Sequence, residues 1–184
     1  MHRLYEIVCA VNRTHPGLGQ MVAVNLLGAI ARRCVLNVAV PGCGKSVTLQ
    51  VLKRVFPGES MMILSLTKSS LRHYQKKFNG FRGLLLVDDL GVADTPYARS
   101  QTLATIAQLV YQHWVEKATV EFKISIQDFF GAAILNAQPV VLASMVTKPD
   151  WDAVVKDKCL RYYHLFIPKR PNRELPRFPL PECW

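Results

Sequence analysis

Val40-Pro41-Gly42-Cys43-Gly44-Lys45-Ser46 brings together the residue types that hold phosphate. Glycines let backbone N–H groups curl around an anion, and the start of a helix adds partial positive charge. An apolar run at 34–40 precedes the stretch and a helix-compatible segment at 46–56 follows it. Strand, glycine-rich turn and helix start is the order that a phosphate-binding loop requires. In this reading Pro41, Gly42, Cys43, Gly44, Lys45, Ser46 and Val47 line a nucleotide. Lys45 is placed to reach the β/γ-phosphates, and the Ser46 hydroxyl to hold Mg²⁺. The pattern G-x-x-x-x-G-K-[ST] is kept except at its first glycine, where Ala39 stands. Pro41-Gly42 can still make the turn; the plainer reading is an ordinary strand-to-helix loop.

Leu84-Leu85-Leu86-Val87-Asp88-Asp89 is an apolar strand that ends in two carboxylates. Such a strand delivers its terminal aspartate to the carboxyl edge of a sheet, beside bound phosphates. Asp88 is expected to support Mg²⁺. Asp89 is expected to orient or deprotonate an attacking water, which needs a carboxylate within hydrogen-bond reach. Taken alone, an Asp-Asp pair also serves to cap a turn.

The elements that must position these groups alternate between strand and helix, which predicts an α/β chain with a mostly parallel sheet covered on both faces. Helices are expected over 4–11, 21–33, 46–56, 69–77, 98–115 and 151–157. Strands are expected over 34–40, 61–66, 84–88, 119–126, 140–144 and 162–167. The run 131–146 is apolar but broken by Asn136, Gln138 and Pro139, and no internal repeat is found. Domain organisation is read as one domain over 1–167, opened by helices in 1–33, and a Pro-rich basic tail over 168–184. Five prolines from Pro168 to Pro181 forbid helix through most of that tail.

The loop, the acidic strand and a polar-ended strand at 140–144 together resemble an AAA+ ATPase of the additional-strand P-loop class. Leu86-Val87-Asp88-Asp89-Leu90-Gly91 is similar to the corresponding region of bacterial helicase loaders and insertion-sequence transposition helpers. It is equally similar to viral replication ATPases of the third helicase superfamily. The resemblance implies a three-layer P-loop fold with a five-stranded sheet in the order 5-1-4-3-2. It implies ATP and Mg²⁺ as ligands, and a homo-oligomeric ring or spiral acting on DNA or RNA in replication or transposition. Ser144 then takes the place of the polar sensor that ends the fourth strand, with Met145 at the usual Asn position and Thr147 as fallback. Arg161 takes the place of an arginine finger just before the last strand, or is a surface arginine at a helix–strand junction. The helical lid that most of the family carry after the last strand is expected to be absent. On related motors the helix after the second strand can face a central channel, which makes Lys68, Arg72, Lys76 and Lys77 candidates for phosphate contacts; a solvated basic face is the ordinary alternative.

Charge supports a polyanionic partner: 23 Lys+Arg against 13 Asp+Glu gives +10, and such an excess favours nucleic acid through counterion release. Five scattered cysteines with no C-x-x-C pair point to a reducing, cytoplasmic setting rather than a disulfide framework or zinc site. Histidines 15, 73, 113 and 164 lack metal-ligand spacing, and Trp114 and Trp151 read as core or interface anchors. No segment is long and apolar enough to predict a membrane span. Two rivals stand beside nucleic-acid-coupled ATP hydrolysis: a small-molecule phosphotransferase resembling nucleotide kinases, and a nucleotide-gated scaffold that does not hydrolyse.

Overall fold

The computed structural model describes residues 2–93, 95–118, 123–147, 151 and 155–165. In chain order the elements are α1 (His2–Thr14), α2 (Gly19–Ile30), β1 (Cys34–Val38), α3 (Lys45–Val55), β2 (Ser60–Met62), α4 (Lys68–Phe78), β3 (Leu84–Val87), a 3₁₀ turn (Leu90–Val92), α5 (Pro96–Gln112), β4 (Val115–Ala118), β5 (Lys123–Ile126), β6 (Ala132–Ala137), α6 (Pro139–Val146) and β7 (Cys159–Tyr163). Five strands form one sheet in the spatial order β2-β3-β6-β1-β7, every pair parallel. A separate antiparallel pair joins β4 to β5.

Successive strand side chains point to opposite faces, and the core divides accordingly. Cys34, Leu36 and Val38 of β1, Leu85 and Val87 of β3, and Ala133 and Leu135 of β6 pack with Phe78 of α4, Ile106 of α5 and Leu142 of α6. On the other face Val35, Leu84, Leu86 and Ile134 meet Val11 of α1, Leu26 of α2 and Leu52 of α3. The chain is therefore α/β, a mostly parallel sheet between two helical layers. Near-continuous apolar strands such as Leu84–Val87 are what burial on both faces demands.

Several sequence expectations are corrected. The strand expected at 140–144 is helix α6; the sheet strand in this region is β6, which ends at Ala137, before the expected strand begins. Pro139 interrupts the apolar run in the sequence, yet it stands in the first turn of α6, where its missing N–H is harmless and its fixed φ suits a helix. Asn136 is tolerated in a buried strand because its Oδ1 accepts from Asn37 Nδ2 of β1 at 3.0 Å. The second strand is shorter than 61–66, although Ile63 still donates to the Leu86 carbonyl. Helix α5 stops at Gln112 because His113 takes a left-handed conformation, φ 68°. The chain then enters the β4–β5 hairpin, of which the sequence reading had only the second strand. The last strand begins at Cys159, three residues before the expected 162. Of the helix expected over 151–157 the described residues include Trp151 and Val155, both buried, whereas Trp114 is half-exposed. The tail at 168–184, and with it the question of a lid, lies outside the described residues. No helix among the described residues is long and apolar enough to cross a membrane.

Candidate phosphate-binding site

All five sheet strands run in parallel, so their carboxyl ends share one edge. That edge carries the loop after β1, Asp88-Asp89 after β3, Gln138 after β6 and His164 after β7. β6 lies between β1 and β3, and two strand spacings of about 4.8 Å set the ends of the loop strand and the acidic strand about 10 Å apart.

The loop leaves β1 with one further sheet bond, Ala39 N–H to the Ala137 carbonyl. Gly42 and Gly44 take φ of 76° and 90°, a region costly for any residue with a Cβ. At Gly44 a Cβ would also stand 2.6 Å from Leu18 Cδ1, so a side chain there would have to displace Leu18 at the start of α2. Lys45 is 8% exposed. Its Nζ donates to the carbonyls of Ala39 at 2.8 Å and Val40 at 2.9 Å. The ammonium thus ties the start of the loop to the first turn of α3 and holds the arch open around a positive charge. Ser46 is exposed on that turn. Cys43 is buried with Met21 and Ala39, against Tyr162; it is a small packing residue at the loop's underside.

The two carboxylates have different surroundings. Asp89 Oδ1 accepts from Gly91 N at 2.7 Å and caps the 3₁₀ turn; its Oδ2 accepts from Gln138 Nε2 at 2.9 Å. Arg99 of α5 braces the same turn, donating from Nε to Ala93 O and from Nη2 to Gly91 O. Asp88 Oδ1, by contrast, is buried with no hydrogen-bond partner among the described residues. An unmatched buried carboxylate oxygen is costly, and it fits a cation. The donors suit Mg²⁺, which takes one or two protein oxygens and completes its shell with waters and substrate phosphates. Among the described residues no three His, Cys, Asp or Glu side chains gather into a group that would hold a metal by themselves.

Of the other expected site residues, Ser144 is exposed on α6 and donates to the Val141 carbonyl of its own helix at 2.7 Å. It ends no strand, because the residue that follows the neighbouring strand and touches Asp89 is Gln138. Met145 is buried core and Thr147 caps α6. Arg161 lies inside the edge strand β7, opposite Leu36, and is exposed; it is not placed before the strand as expected. Arg72, Lys76 and Lys77 are exposed on α4, which Lys68 opens. That helix joins the sheet-edge strand β2 to β3.

Sequence reasoning missed three groups: Gln138, Arg99 and His164. Gln138-Pro139 carried a usable signal, since a residue followed by Pro is a common helix start. His164 donates its backbone N–H to the Val38 carbonyl, and its ring Nδ1 lies 3.3 Å from the Tyr162 hydroxyl. Burial, then the nearby positive Lys45, lowers its pKa from the usual 6.5. The folded chain therefore keeps this imidazole neutral, while the unfolded chain takes up a proton near pH 6.5. Between those two values the unfolded state binds more protons, so stability falls as pH drops from about 6.5 through the folded value and levels off below it. His164→Gln is expected to flatten the Tm–pH curve below about pH 6.5; equal slopes in both proteins would assign the acid sensitivity elsewhere.

Beside the loop a cavity of about 310 Å³ opens between the ends of β1 and β7 and the start of α6, walled by Val40, Pro139, Leu142, Tyr163 and His164. One sheet edge thus gathers a left-handed glycine turn, a buried lysine, an exposed serine, an unmatched carboxylate and an apolar recess. No family model and no curated protein matches the chain, so what this edge binds is argued from its own geometry.

Proposed function

We propose that the chain is a Mg²⁺-dependent ATPase of the AAA+ type that couples nucleotide turnover to nucleic acid. The observation that carries the reading is the unmatched Asp88 Oδ1 at the same sheet edge as the glycine loop, one strand removed from it. Further support comes from the sheet itself. Numbered alone in chain order, β7-β1-β6-β3-β2 reads 5-1-4-3-2, with β6 as the strand inserted between the loop strand and the acidic strand. In this reading the loop backbone and Lys45 bind the phosphates, and the recess beside Val40 and Tyr163 receives the base. Ser46 and Asp88 would hold Mg²⁺, which supplies charge neutralisation at the phosphates. Asp89, aligned by Gln138, orients the attacking water. The exposed Arg72, Lys76 and Lys77 of α4 are the proposed contacts to nucleic acid, within a homo-oligomer in which Arg161 reaches a neighbouring nucleotide.

A second reading has an observation of its own. Both Asp89 oxygens already accept hydrogen bonds, which favours a nucleotide-gated scaffold that binds without hydrolysing. Phosphate release by the purified protein, with and without single- and double-stranded nucleic acid, separates the two. Turnover is expected, stimulated by nucleic acid, with affinity for duplex falling on added salt at a log–log slope of about 0.9 per phosphate neutralised. ATP binding without release would leave the scaffold. Release indifferent to nucleic acid would remove the coupling.

A further inference from the structure

Two cysteines far apart in sequence meet in the sheet. Cys34 opens β1 and Cys159 opens β7, and the two are direct register partners. Their sulfurs lie 3.1 Å apart, with Cys34 fully buried and Cys159 6% exposed. Neighbouring strands are spaced by about 4.8 Å, inside the Cα separation of about 4.4–6.8 Å that a disulfide bridges. The other described thiols are elsewhere: Cys9 on α1 and Cys43 in the phosphate loop. The sequence, with its scattered cysteines, gave no hint of a pair.

We propose that Cys34 and Cys159 form a modification site, a dithiol that closes to an intramolecular disulfide when it meets a small-molecule disulfide. Cys34 is fully buried in a strand flanked on both sides, whereas Cys159 lies in the outer strand β7, so the reaction begins at Cys159. Among the described residues β7 is an edge strand bonded only to β1, and local opening of such a strand is less costly than global unfolding. The Cys159 thiolate attacks one sulfur of glutathione disulfide, forming a mixed disulfide and releasing one glutathione thiolate. The Cys34 thiolate then attacks Cys159 Sγ, breaking the mixed disulfide and releasing the second glutathione. Two cysteine thiols are oxidised, one disulfide is reduced, and the two cysteine protons end on the two glutathione thiols. The product fastens the edge strand to the strand that feeds the phosphate loop.

The test uses the full chain incubated with excess glutathione disulfide, then acid-quenched, alkylated under denaturing conditions and digested. The expected product is a protein lighter by two hydrogens, containing a peptide that joins Cys34 to Cys159. Its Tm is expected to rise by about 5 °C or more, because the crosslink closes a long loop of the unfolded chain. Cys159→Ala should abolish both changes, and Cys9→Ser should leave them. If Cys159→Ala does not fold, the peptide map of the unaltered chain decides. Glutathione adducts at Cys9 or Cys183 with Cys34 and Cys159 still fully alkylated, or a crosslink between other cysteines, would overturn the proposal.

Discussion

Lys45→Ala is expected to reduce ATP turnover by at least about 100-fold and to weaken nucleotide binding about 10- to 100-fold. The second figure follows from losing a charge-assisted hydrogen bond of about 1.5–3 kcal/mol. The substitution also has a cost without any ligand. Lys45 Nζ satisfies the Ala39 and Val40 carbonyls from a buried position, and truncation removes both that donor and the packing of its stem. A loss of about 2 kcal/mol in folding is expected from that part. Lys45→Met separates the packing contribution, because it keeps an apolar stem and removes the ammonium, with its charge and its donors to the Ala39 and Val40 carbonyls. Turnover should be lost in both variants, while unfolding by urea should place the methionine variant nearer the unaltered protein. Phosphate release that persists in Lys45→Met would take the lysine, and the loop with it, out of the reaction.

The second large effect divides two adjacent carboxylates. Asp88 Oδ1 has no partner among the described residues, so replacing its charge should cost the fold nothing and can stabilise it by up to about 1 kcal/mol. Asp88→Asn is nevertheless expected to lower Mg²⁺-dependent turnover by at least about 100-fold. Asp89 is the opposite case, a turn cap that also receives the Gln138 amide. Asp89→Asn sets an amide against an amide unless Gln138 turns over, and a loss of about 1–2 kcal/mol is expected. Thermal unfolding of the two variants, with Mg²⁺ titrations of phosphate release, measures both effects. The reverse pattern, an Asp88→Asn protein that is unstable but active, would make Asp88 a structural residue and remove it from the proposed metal site.

The parts of the site that obey local rules were legible in the sequence. Gly42, Gly44 and Lys45 announce themselves by residue type, and the four apolar residues of β3 leave Asp88 at the sheet edge in any parallel arrangement. What failed depends on contacts between distant segments. Asn136 looks like an interruption until Asn37 is beside it. Pro139 ends a strand pattern but also begins a helix, and choosing between these needs the neighbouring strand. Glu116 and Lys117 hide β4: Glu116 lies on the exposed face of the hairpin, while Lys117, half-buried on the opposite face, donates to the Thr105 hydroxyl of α5. Arg161 was misplaced by the same mechanism: β7 starts where Cys159 meets Cys34, a pairing invisible in a linear reading. Gln138 and Arg99 act by bracing Asp89 and its turn, and such roles have no fixed spacing.

The amide pair between β1 and β6 has a consequence for how the edge is assembled. Asn37 and Asn136 sit opposite each other, both fully buried, one strand position before the loop strand and its neighbour end. A slip of β6 by one residue would turn Asn136 to the opposite face of the sheet. A slip by two would carry the amides about 6.6 Å out of line, leaving each unmated in an apolar layer. The pair therefore works as a registration mark: it penalises both slips and fixes the height at which Gln138 emerges relative to the glycine loop.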